Sequence, residues 1–373
     1  MPIYLDRHDA PDEVTAEHVA EMHQADLKHQ DKFGCQGFTY WFDDDKKMGF
    51  CLIEAPNKEA ITAMHKYAHG DIPTEIIEVE KHFVASFLGR IADPEKAEND
   101  KLNIINDPAF RTLMYTRFVR NSLTDLDRNQ DKKKIVNFNN SIDSIAIQFE
   151  GRIVKHLSDH SLISFKSTTN AIMYALKIQS EFKKLIDKNS NSGLKLNVGL
   201  SCGIPVTEKE KIFEETIISA ERLCNISKGK IVVSSEVNDL FESENQNGLI
   251  DRNLIAILNP SEEIFLNIFI DFIEKSWRNT DLKVDDFSKN LGYSKSQFYR
   301  KLKSIAGQSP NTFIKEYRLI KAFALLKNQK VNISGIAYET GFNSPAYFSK
   351  CFRERFGILP SGYVKQIKAS LKQ

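Results

Sequence analysis

Two copies of one short pattern near the end of the chain most restrict how this region can fold. Each copy joins an amphipathic segment, a glycine and a small polar residue to a segment that mixes aromatic and basic residues, and the copies span 284–303 and 333–353. This order predicts a short helix, a tight turn and a second helix with one buried face and one basic face. A second helix of that kind has the shape and charge needed to enter the major groove of DNA.

Positive charge is concentrated in the same region. Residues 261–373 contain 19 Lys and Arg side chains against 10 Asp and Glu side chains, which gives a net charge of +9. The whole chain carries +1, so the first 260 residues carry −8. A local excess of this size indicates a polyanionic partner for the C-terminal region. The plainer alternative, a solvated bundle of helices with scattered lysines, leaves this excess unexplained.

The stretch Gly341–Tyr363 is the most specific part of this region. On that stretch and the paired pattern, residues 265–365 resemble the AraC-type DNA-binding domain. The resemblance implies two recognition helices, at about 294–305 and 344–355, on a long connecting helix of about 310–327. It further implies a sequence-specific transcription regulator that binds double-stranded DNA, and we expect a homodimer.

Several side chains of the two recognition helices are candidates for contact with DNA. Arg, Lys, Asn and Gln can read base edges, whereas Ser side chains and backbone N–H groups hold phosphates. A single lysine more often contacts a phosphate or solvent than a base. In the first helix the candidates are Ser294, Lys295, Ser296, Gln297, Arg300 and Lys301. In the second helix they are Asn343, Ser344, Pro345, Ala346, Ser349, Lys350 and Arg353. The apolar positions between them are expected in the core: Phe298, Leu302, Phe348 and Phe352.

Residues 1–91 predict a small α+β unit. Its segments follow the order β-α-β-β-α-β, with helix-like runs at about 15–31 and 57–69, which favours a ferredoxin-like sandwich. The polar stretch 92–107 predicts a linker. The β-like runs lie at Ile3–Leu5, Phe38–Phe42, Gly49–Ile53 and Ile76–Val84.

Histidines are concentrated in this first unit, which holds seven of the nine in the chain. His65 and His69 are four residues apart on a predicted helix, so their side chains share one face and can bind one divalent metal ion. Histidines 8, 18, 23 and 29 could complete the site, and we take His8 and His23 as the candidates. For any single histidine, an ordinary core or surface role is the alternative.

The first unit opens with Tyr4-Leu5-Asp6-Arg7-His8 and continues through Cys51–Pro56 and His69-Gly70 to Glu75–Val79. On these residues it resembles the small ferredoxin-like nickel-binding proteins over residues 2–80. The resemblance implies a divalent metal, nickel first, without assigning the ligands. The affinity order of divalent metals favours copper and nickel over iron and manganese at most sites, so ligand type alone does not name the metal.

Residues 108–258 alternate strand-like and helix-like runs and predict a second α+β domain. The carrying stretches Arg111–Thr116, Gly151–His156, Val198–Gly203 and Ala220–Cys224 resemble the class III nucleotide cyclase domain. The polar stretch 242–261 predicts a second linker. We therefore expect three domains, at 1–91, 108–258 and 261–373.

Although the domain resembles a cyclase, the chain lacks some of the residues that cyclase chemistry needs. Such an enzyme needs two carboxylates on its metal ions. At the position where the family has its first metal-binding aspartate, this chain has Arg117, which repels Mg²⁺ and cannot ligate it. Asp159 keeps the second carboxylate between Ser158 and His160, and Ile218 replaces an asparagine. We therefore expect a domain without enzymatic activity. The alternative is a remnant nucleotide-binding site formed by three side chains, Lys155, Asp159 and Arg222.

The five cysteines form no CxxC pair, and the N-terminus lacks an apolar signal core, so we expect a cytoplasmic protein. The leading hypothesis is a DNA-binding transcription regulator whose N-terminal domains sense a metal or a small ligand. The first alternative is a nucleotide cyclase fused to a DNA-binding domain, which Arg117 and Ile218 disfavour. The second alternative is a metal-buffering protein that uses DNA only as an anchor.

Overall fold

The chain was analysed as a computed structural model. The structure describes residues 1–95, 102–120, 125–157, 159–186, 193–245, 250–326 and 332–370. Within these ranges no helix is both long enough and apolar enough to cross a membrane.

The first unit is a four-stranded sheet of order β2-β3-β1-β4, in which every neighbouring pair is antiparallel. The predicted β-α-β-β-α-β order is present. The predicted strand Ile76–Val84 is wrong beyond Val79, because Val84, Phe87 and Leu88 are spaced for one face of a helix. The elements are β1 (Ile3–Asp9), α1 (Ala16–His29), β2 (Gln36–Asp43), β3 (Met48–Glu54), α2 (Lys58–Ala68), β4 (Glu75–Val79) and α3 (Lys81–Leu88).

The middle unit is a six-stranded mixed sheet of order β10-β9-β8-β5-β7-β6. The sequence pattern predicts five strands, at Arg111–Val119, Gly151–Leu157, Leu162–Phe165, Leu194–Cys202 and Lys230–Val233, and three helices, near 130–149, 168–188 and 214–227. Each has a counterpart among the described elements. The predicted linker 242–261 is wrong in part, because it contains the end of one further helix and the whole of one further strand, both too short to show in the sequence pattern. The elements are β5 (Arg111–Val119), α4 (Asp125–Gln148), β6 (Arg152–His156), β7 (His160–Phe165), α5 (Thr168–Leu185), β8 (Lys195–Gly203), α6 (Glu214–Ile226), β9 (Ile231–Val233), α7 (Ser235–Glu244) and β10 (Ile255–Ile257).

The described C-terminal residues form helices only. Ser294 and Ser344 accept backbone N–H bonds as N-caps of the two predicted recognition helices, and glycines with positive φ end both. These helices match the sequence-based bounds closely because caps and aromatic spacing both mark them. The elements are α8 (Pro260–Ser276), α9 (Val284–Leu291), α10 (Lys295–Ala306), α11 (Pro310–Leu326), α12 (Ile333–Glu339), α13 (Pro345–Phe356) and α14 (Pro360–Ser370).

The three units share continuous hydrophobic cores. Trp41 and Phe50 of the first sheet are buried in one cluster with Leu113 and Tyr115 of β5. The described part of the predicted linker 92–107 is also packed, since Ile105 is buried and its backbone N–H donates to the hydroxyl of Tyr40. The first unit therefore covers one face of the six-stranded sheet.

Helix α6 takes part in two of these cores. Ala220 and Cys224 belong to the core shared with the first unit. Leu223 and Ile226 belong to a second core with Phe269 and other side chains of the C-terminal helices. The middle unit thus contacts both of its neighbours through one helix.

The close approach of α6 to β8 generates a prediction about Gly199. A Cβ atom there would stand 2.2 Å from the carbonyl oxygen of Ala220 and 2.3 Å from the amide nitrogen of Cys224. We expect Gly199→Ala to lower the free energy of unfolding by about 3 kcal/mol, at the upper end of overpacking effects. Thermal unfolding of the full chain measures this. Gly49→Ala is the control, because its nearest atoms would lie 3.8 Å away; equal melting of the two variants would contradict this packing.

Candidate nucleic-acid interface and metal centre

The N-terminal half of α10 presents a polar surface. Ser294, Lys295, Ser296, Gln297 and Arg300 are exposed, while Phe298 and Leu302 are fully buried, as predicted for the core positions. Lys301 is half-buried, and its Nζ lies 5.3 Å from the ring centroid of Phe265. Among the six candidates of this helix and its N-cap, Lys301 is thus the one that is half-buried rather than exposed.

Local contacts set the start of α10. The Ser294 hydroxyl accepts from the Gln297 backbone N–H at 3.3 Å, and the Gln297 side-chain oxygen accepts from the Ser294 N–H at 3.0 Å. This capping box leaves the Gln297 side-chain NH₂ free of the cap, and an amide NH₂ can donate to a base edge. Lys295 pairs with Asp285 at 2.6 Å on the surface.

The second predicted recognition helix, α13, also begins with a serine N-cap. Ser344 caps it by accepting from the Tyr347 backbone N–H at 3.3 Å, and Pro345 occupies the first turn. The candidates that reach solvent most fully are Asn343, Ala346, Lys350 and Arg353, whereas Ser344, Pro345 and Ser349 are half-buried.

Two exposed aromatic side chains were missed by the sequence analysis. Tyr299 on α10 is 43% exposed and Tyr347 on α13 is 51% exposed. Each stands among the groove-facing candidates rather than in the core. Their positions next to the buried Phe298 and Phe348 were the available signal, since neighbouring residues on a helix do not face the same way.

Arg318 on the connecting helix α11 contacts the segment that follows α8, in the first of the two helix-turn-helix units. Its Nε donates to the Trp277 carbonyl at 2.8 Å and its Nη2 donates to the Asn279 carbonyl at 2.6 Å. Gly341 also approaches here with φ +79°, and a Cβ on it would stand 2.5 Å from the Trp277 oxygen. The two helix-turn-helix units are therefore held together by backbone contacts as well as by α11.

A chain of acidic and histidine side chains crosses the first unit. Asp71 contacts His8, Asp6 lies between His8 and His65, and Asp26 lies between His65 and His69. These side chains and Cys51 make up two groups that could each hold a metal ion: Asp26, His65 and His69 in one, and Asp6, His8 and Cys51 in the other. The two groups adjoin through the 2.9 Å contact between His65 Nε2 and Asp6 Oδ2.

The first group has the dimensions of a metal-binding face. His65 Nδ1 lies 3.1 Å from an Asp26 oxygen and 3.1 Å from His69 Nε2, which lies 3.2 Å from the other Asp26 oxygen. For bonds of about 2.1 Å, ligands are about 3.0 Å apart in an octahedral site and about 3.4 Å apart in a tetrahedral site. One contact opposes ligation, because His69 Nδ1 accepts from the Asp71 backbone N–H at 3.2 Å. Ligation through Nε2 requires that this hydrogen bond be given up.

The second group contains a buried nitrogen without a hydrogen-bond partner, His8 Nε2. The other ring nitrogen of His8 lies 2.5 Å from Asp71. A histidine that ligates a metal usually donates its other ring N–H to a carboxylate, as His8 can donate to Asp71, and Nε2 can ligate once it has lost its proton. Asp6 Oδ1 stands 3.6 Å from His8 Nε2. The residues of this group therefore also fit a metal ion.

Charge pairing controls protonation in this network. Burial alone lowers the pKa of His8, but the Asp6 carboxylate outweighs it and raises that pKa to about 10. Burial likewise opposes the charge on His65, while hydrogen bonds to Asp26 and Asp6 raise its pKa to about 9. The two histidines in turn hold the pKa of the buried Asp6 below its usual range. A metal ion must therefore displace protons from histidines whose pKa lies well above the ordinary histidine value of about 6.5.

His23 belongs to neither group. Its Nε2 lies 3.1 Å from Asp93, and its ring packs 4.9 Å from that of Tyr40. The sequence analysis missed Asp6, Asp26 and Cys51 as members of the site. Asp6 stands inside the Tyr4–His8 stretch, and that position was the only signal for it in the sequence.

The cyclase-like positions hold a different set of contacts. Arg117 donates to Glu221 at 2.7 Å and to Asn225 at 2.5 Å, so an ion pair stands where a metal carboxylate would be. Asp159 is exposed and lies 3.0 Å from His160. Arg222 contacts α8 instead, and Lys155 is exposed; the described residues show no hydrogen bond or ion pair among Lys155, Asp159 and Arg222. Ser158 lies outside the described residues.

Comparison with known proteins found family matches for the N-terminal and the C-terminal regions of the chain. Residues 287–366 match a family described as "Helix-turn-helix domain", and residues 4–79 match one described as "Nickel responsive protein SCO4226-like". The helix-turn-helix match lies within the region 265–365 that resembles the AraC-type DNA-binding domain. That resemblance and the nickel-protein resemblance are confirmed for these residues, while the cyclase resemblance stays a prediction.

Curated relatives resemble only a part of the chain. Over 109 residues it is 40% identical to "Histidine kinase P4" of Formosa agariphila, which spans 29% of this chain and 8% of that protein. Over 90 residues it is 40% identical to "HTH-type transcriptional regulator ExsA" of Pseudomonas aeruginosa, which spans 24% of this chain and 32% of that protein. The chain thus covers less than a third of the length of either relative. The solved structure of SCO4226 from Streptomyces coelicolor A3(2) is 30% identical over 21% of this chain and 94% of that one, with a TM-score of 0.20.

The raised histidine pKa values predict how stability depends on pH without metal. The stabilisation from His65 is fully present below its unfolded value of 6.5 and is lost as pH rises through about 9. The unfolding free-energy difference between wild type and His65→Asn, measured with a chelator present, should therefore shrink between pH 6.5 and 9. The exposed His82 supplies the control, as His82→Asn should track wild type throughout. A difference for His65→Asn that stays constant over this range would contradict the assigned pairing.

Proposed function

We propose that the protein is a sequence-specific DNA-binding transcription regulator whose N-terminal region senses a divalent metal ion. The observation that carries the first part is the pair of capped recognition helices whose basic candidates Lys295, Arg300, Lys350 and Arg353 are exposed, in a region of net charge +9. The match of residues 287–366 to a helix-turn-helix family supports it. The candidates in α10 and α13 named above would contact bases and phosphates.

The division of labour follows the three regions. We assign residues 1–91 to a ferredoxin-like sensing domain, 108–258 to a cyclase-like domain without enzymatic activity, and 261–373 to the DNA-binding domain. The Arg117–Glu221 ion pair supports the absence of cyclase chemistry, because the arginine and its partner fill the place of a metal-binding carboxylate. A homodimer, implied by the AraC resemblance, stays a prediction.

The metal would be held by the buried histidine and carboxylate groups of the first unit. Asp26, His65 and His69 offer ligand atoms that all lie within 4.8 Å of one another, and His8 offers a buried nitrogen without a hydrogen-bond partner in the adjoining group. Imidazole and carboxylate ligands suit nickel, and the match of residues 4–79 to the nickel-responsive family supports nickel as the first candidate. A bound divalent ion would supply positive charge that protonated histidines supply in its absence.

Removal of base-reading side chains tests DNA binding. In the full chain, Arg300→Ala and Arg353→Ala should each weaken binding to a DNA sequence selected by the wild-type protein by about 1–3 kcal/mol if the side chain reads a base. The measurement is a titration at fixed salt concentration. Arg252→Ala is the control, since Arg252 is exposed on the middle unit. Unchanged affinity after joint replacement of Lys295, Arg300, Lys350 and Arg353 would overturn the assignment.

Nickel titration by calorimetry tests the sensing site. Removal of one ligand with His69→Ala should weaken nickel binding by about 10-fold or more. The matched control is His82→Ala, because His82 is an exposed histidine of the same unit and belongs to neither metal group. Identical titration curves for wild type and His69→Ala would exclude His69 as a ligand, and no heat for any protein would exclude the site.

A further inference from the structure

The middle unit contacts both reading helices at their C-terminal ends. Lys228, just after α6, places its Nζ 3.0 Å from where a Cβ would stand on Gly307, the residue that ends α10. In the last turn of α13, the Arg355 Nη1 donates to the Arg120 carbonyl just after β5 at 2.9 Å. Most candidate DNA contacts lie in the N-terminal halves of the two helices, where Arg300 and Lys350 are exposed; the candidate Arg353 lies in the last turn of α13 and is exposed as well.

A third contact joins the same unit to α8. Arg222 of α6 donates to the Asn267 side chain at 2.9 Å, forms an ion pair with Asp271, and lies 3.8 Å from Glu274. The arginine side chain is only 14% exposed. Beside it, Leu223 and Ile226 pack into the core of the first helix-turn-helix unit. A planar guanidinium with three partners on α8 limits both sliding and rotation of α8 over α6.

We propose that Arg222 is a positioning residue for DNA binding. Through Arg222, α6 holds α8, and the whole middle unit braces the C-terminal ends of α10 and α13 in one relative orientation. The inference rests on the proposed DNA-binding function and goes beyond it. It gives the cyclase-like domain a role that needs neither a nucleotide nor catalysis, and it gives the retained arginine a protein partner.

The geometry of DNA makes such a brace measurable. Recognition helices on one DNA face reach sites about one helical turn apart, and each added base pair turns the second site by about 35°. A braced pair of helices should therefore reject an altered spacing strongly. A pair of recognition helices held together by α11 and Arg318 alone can reorient more freely, and so can bind elements at an altered spacing. An Arg222 contact that only contributed to stability would leave the spacing preference unchanged.

The experiment uses the full chain and a DNA site selected by it from a random library. Three duplexes are compared: the selected site, the same site with one base pair inserted between its two elements, and a single element. Wild type should lose about 10-fold or more in affinity on insertion, which is a difference that titrations resolve readily. Arg222→Ala should bind the selected site more weakly, lose no more than about 3-fold on insertion, and bind the single element as wild type does.

Two further variants separate positioning from folding. Arg222→Asp combined with Asp271→Arg restores an ion pair in reverse and should recover the spacing discrimination in part. Arg252→Ala removes an exposed arginine of the same unit and should behave as wild type. If Arg222→Ala keeps the wild-type spacing discrimination, or loses affinity equally for all three duplexes, the positioning role is wrong. If wild type selects no sequence, the proposed DNA-binding function itself fails.

Discussion

The packing of helix α6 between two hydrophobic cores is the constraint on which the rest of the structure depends. Ala220 and Cys224 bind it to the core of the N-terminal unit, and Leu223 and Ile226 bind it to the core of the DNA-binding helices. Protein interiors are close-packed, so a helix buried on two sides cannot shift without disturbing both neighbours. A change in the N-terminal unit therefore has a physical route to the reading helices through Arg222 and its partners.

The second constraint is buried charge. Asp6 and His65 are fully buried, and a buried ion is tolerated only when it is paired and hydrogen-bonded. The network from Asp71 to His69 meets that condition with protons. Under the proposed metal binding, a divalent ion would meet it in another way, by replacing protons between the same nitrogens and oxygens. One set of side chains would then support two charge states, which suits a sensing region better than an ordinary core.

Much of the fold could be predicted from the sequence, but the metal site could be predicted only in part. The reading helices α10 and α13 were accurately bounded because Ser294 and Ser344 mark their starts. Asp6 and Asp26 were missed because a carboxylate is normally expected on the surface, and only tertiary contacts reveal its buried partners. The same reason hid the role of Arg222, whose partner Asn267 lies 45 residues away.

The central claim is that the exposed halves of α10 and α13 read specific DNA sequences under the control of the N-terminal unit. Genome-wide mapping of the sites bound by the full chain, with and without added nickel, tests it most directly. The account predicts a discrete set of sites that share one motif with two elements about one helical turn apart, and an occupancy that changes with nickel. Occupancy spread without a shared motif would contradict DNA reading, and an identical set of sites and occupancies in both conditions would contradict control by the metal.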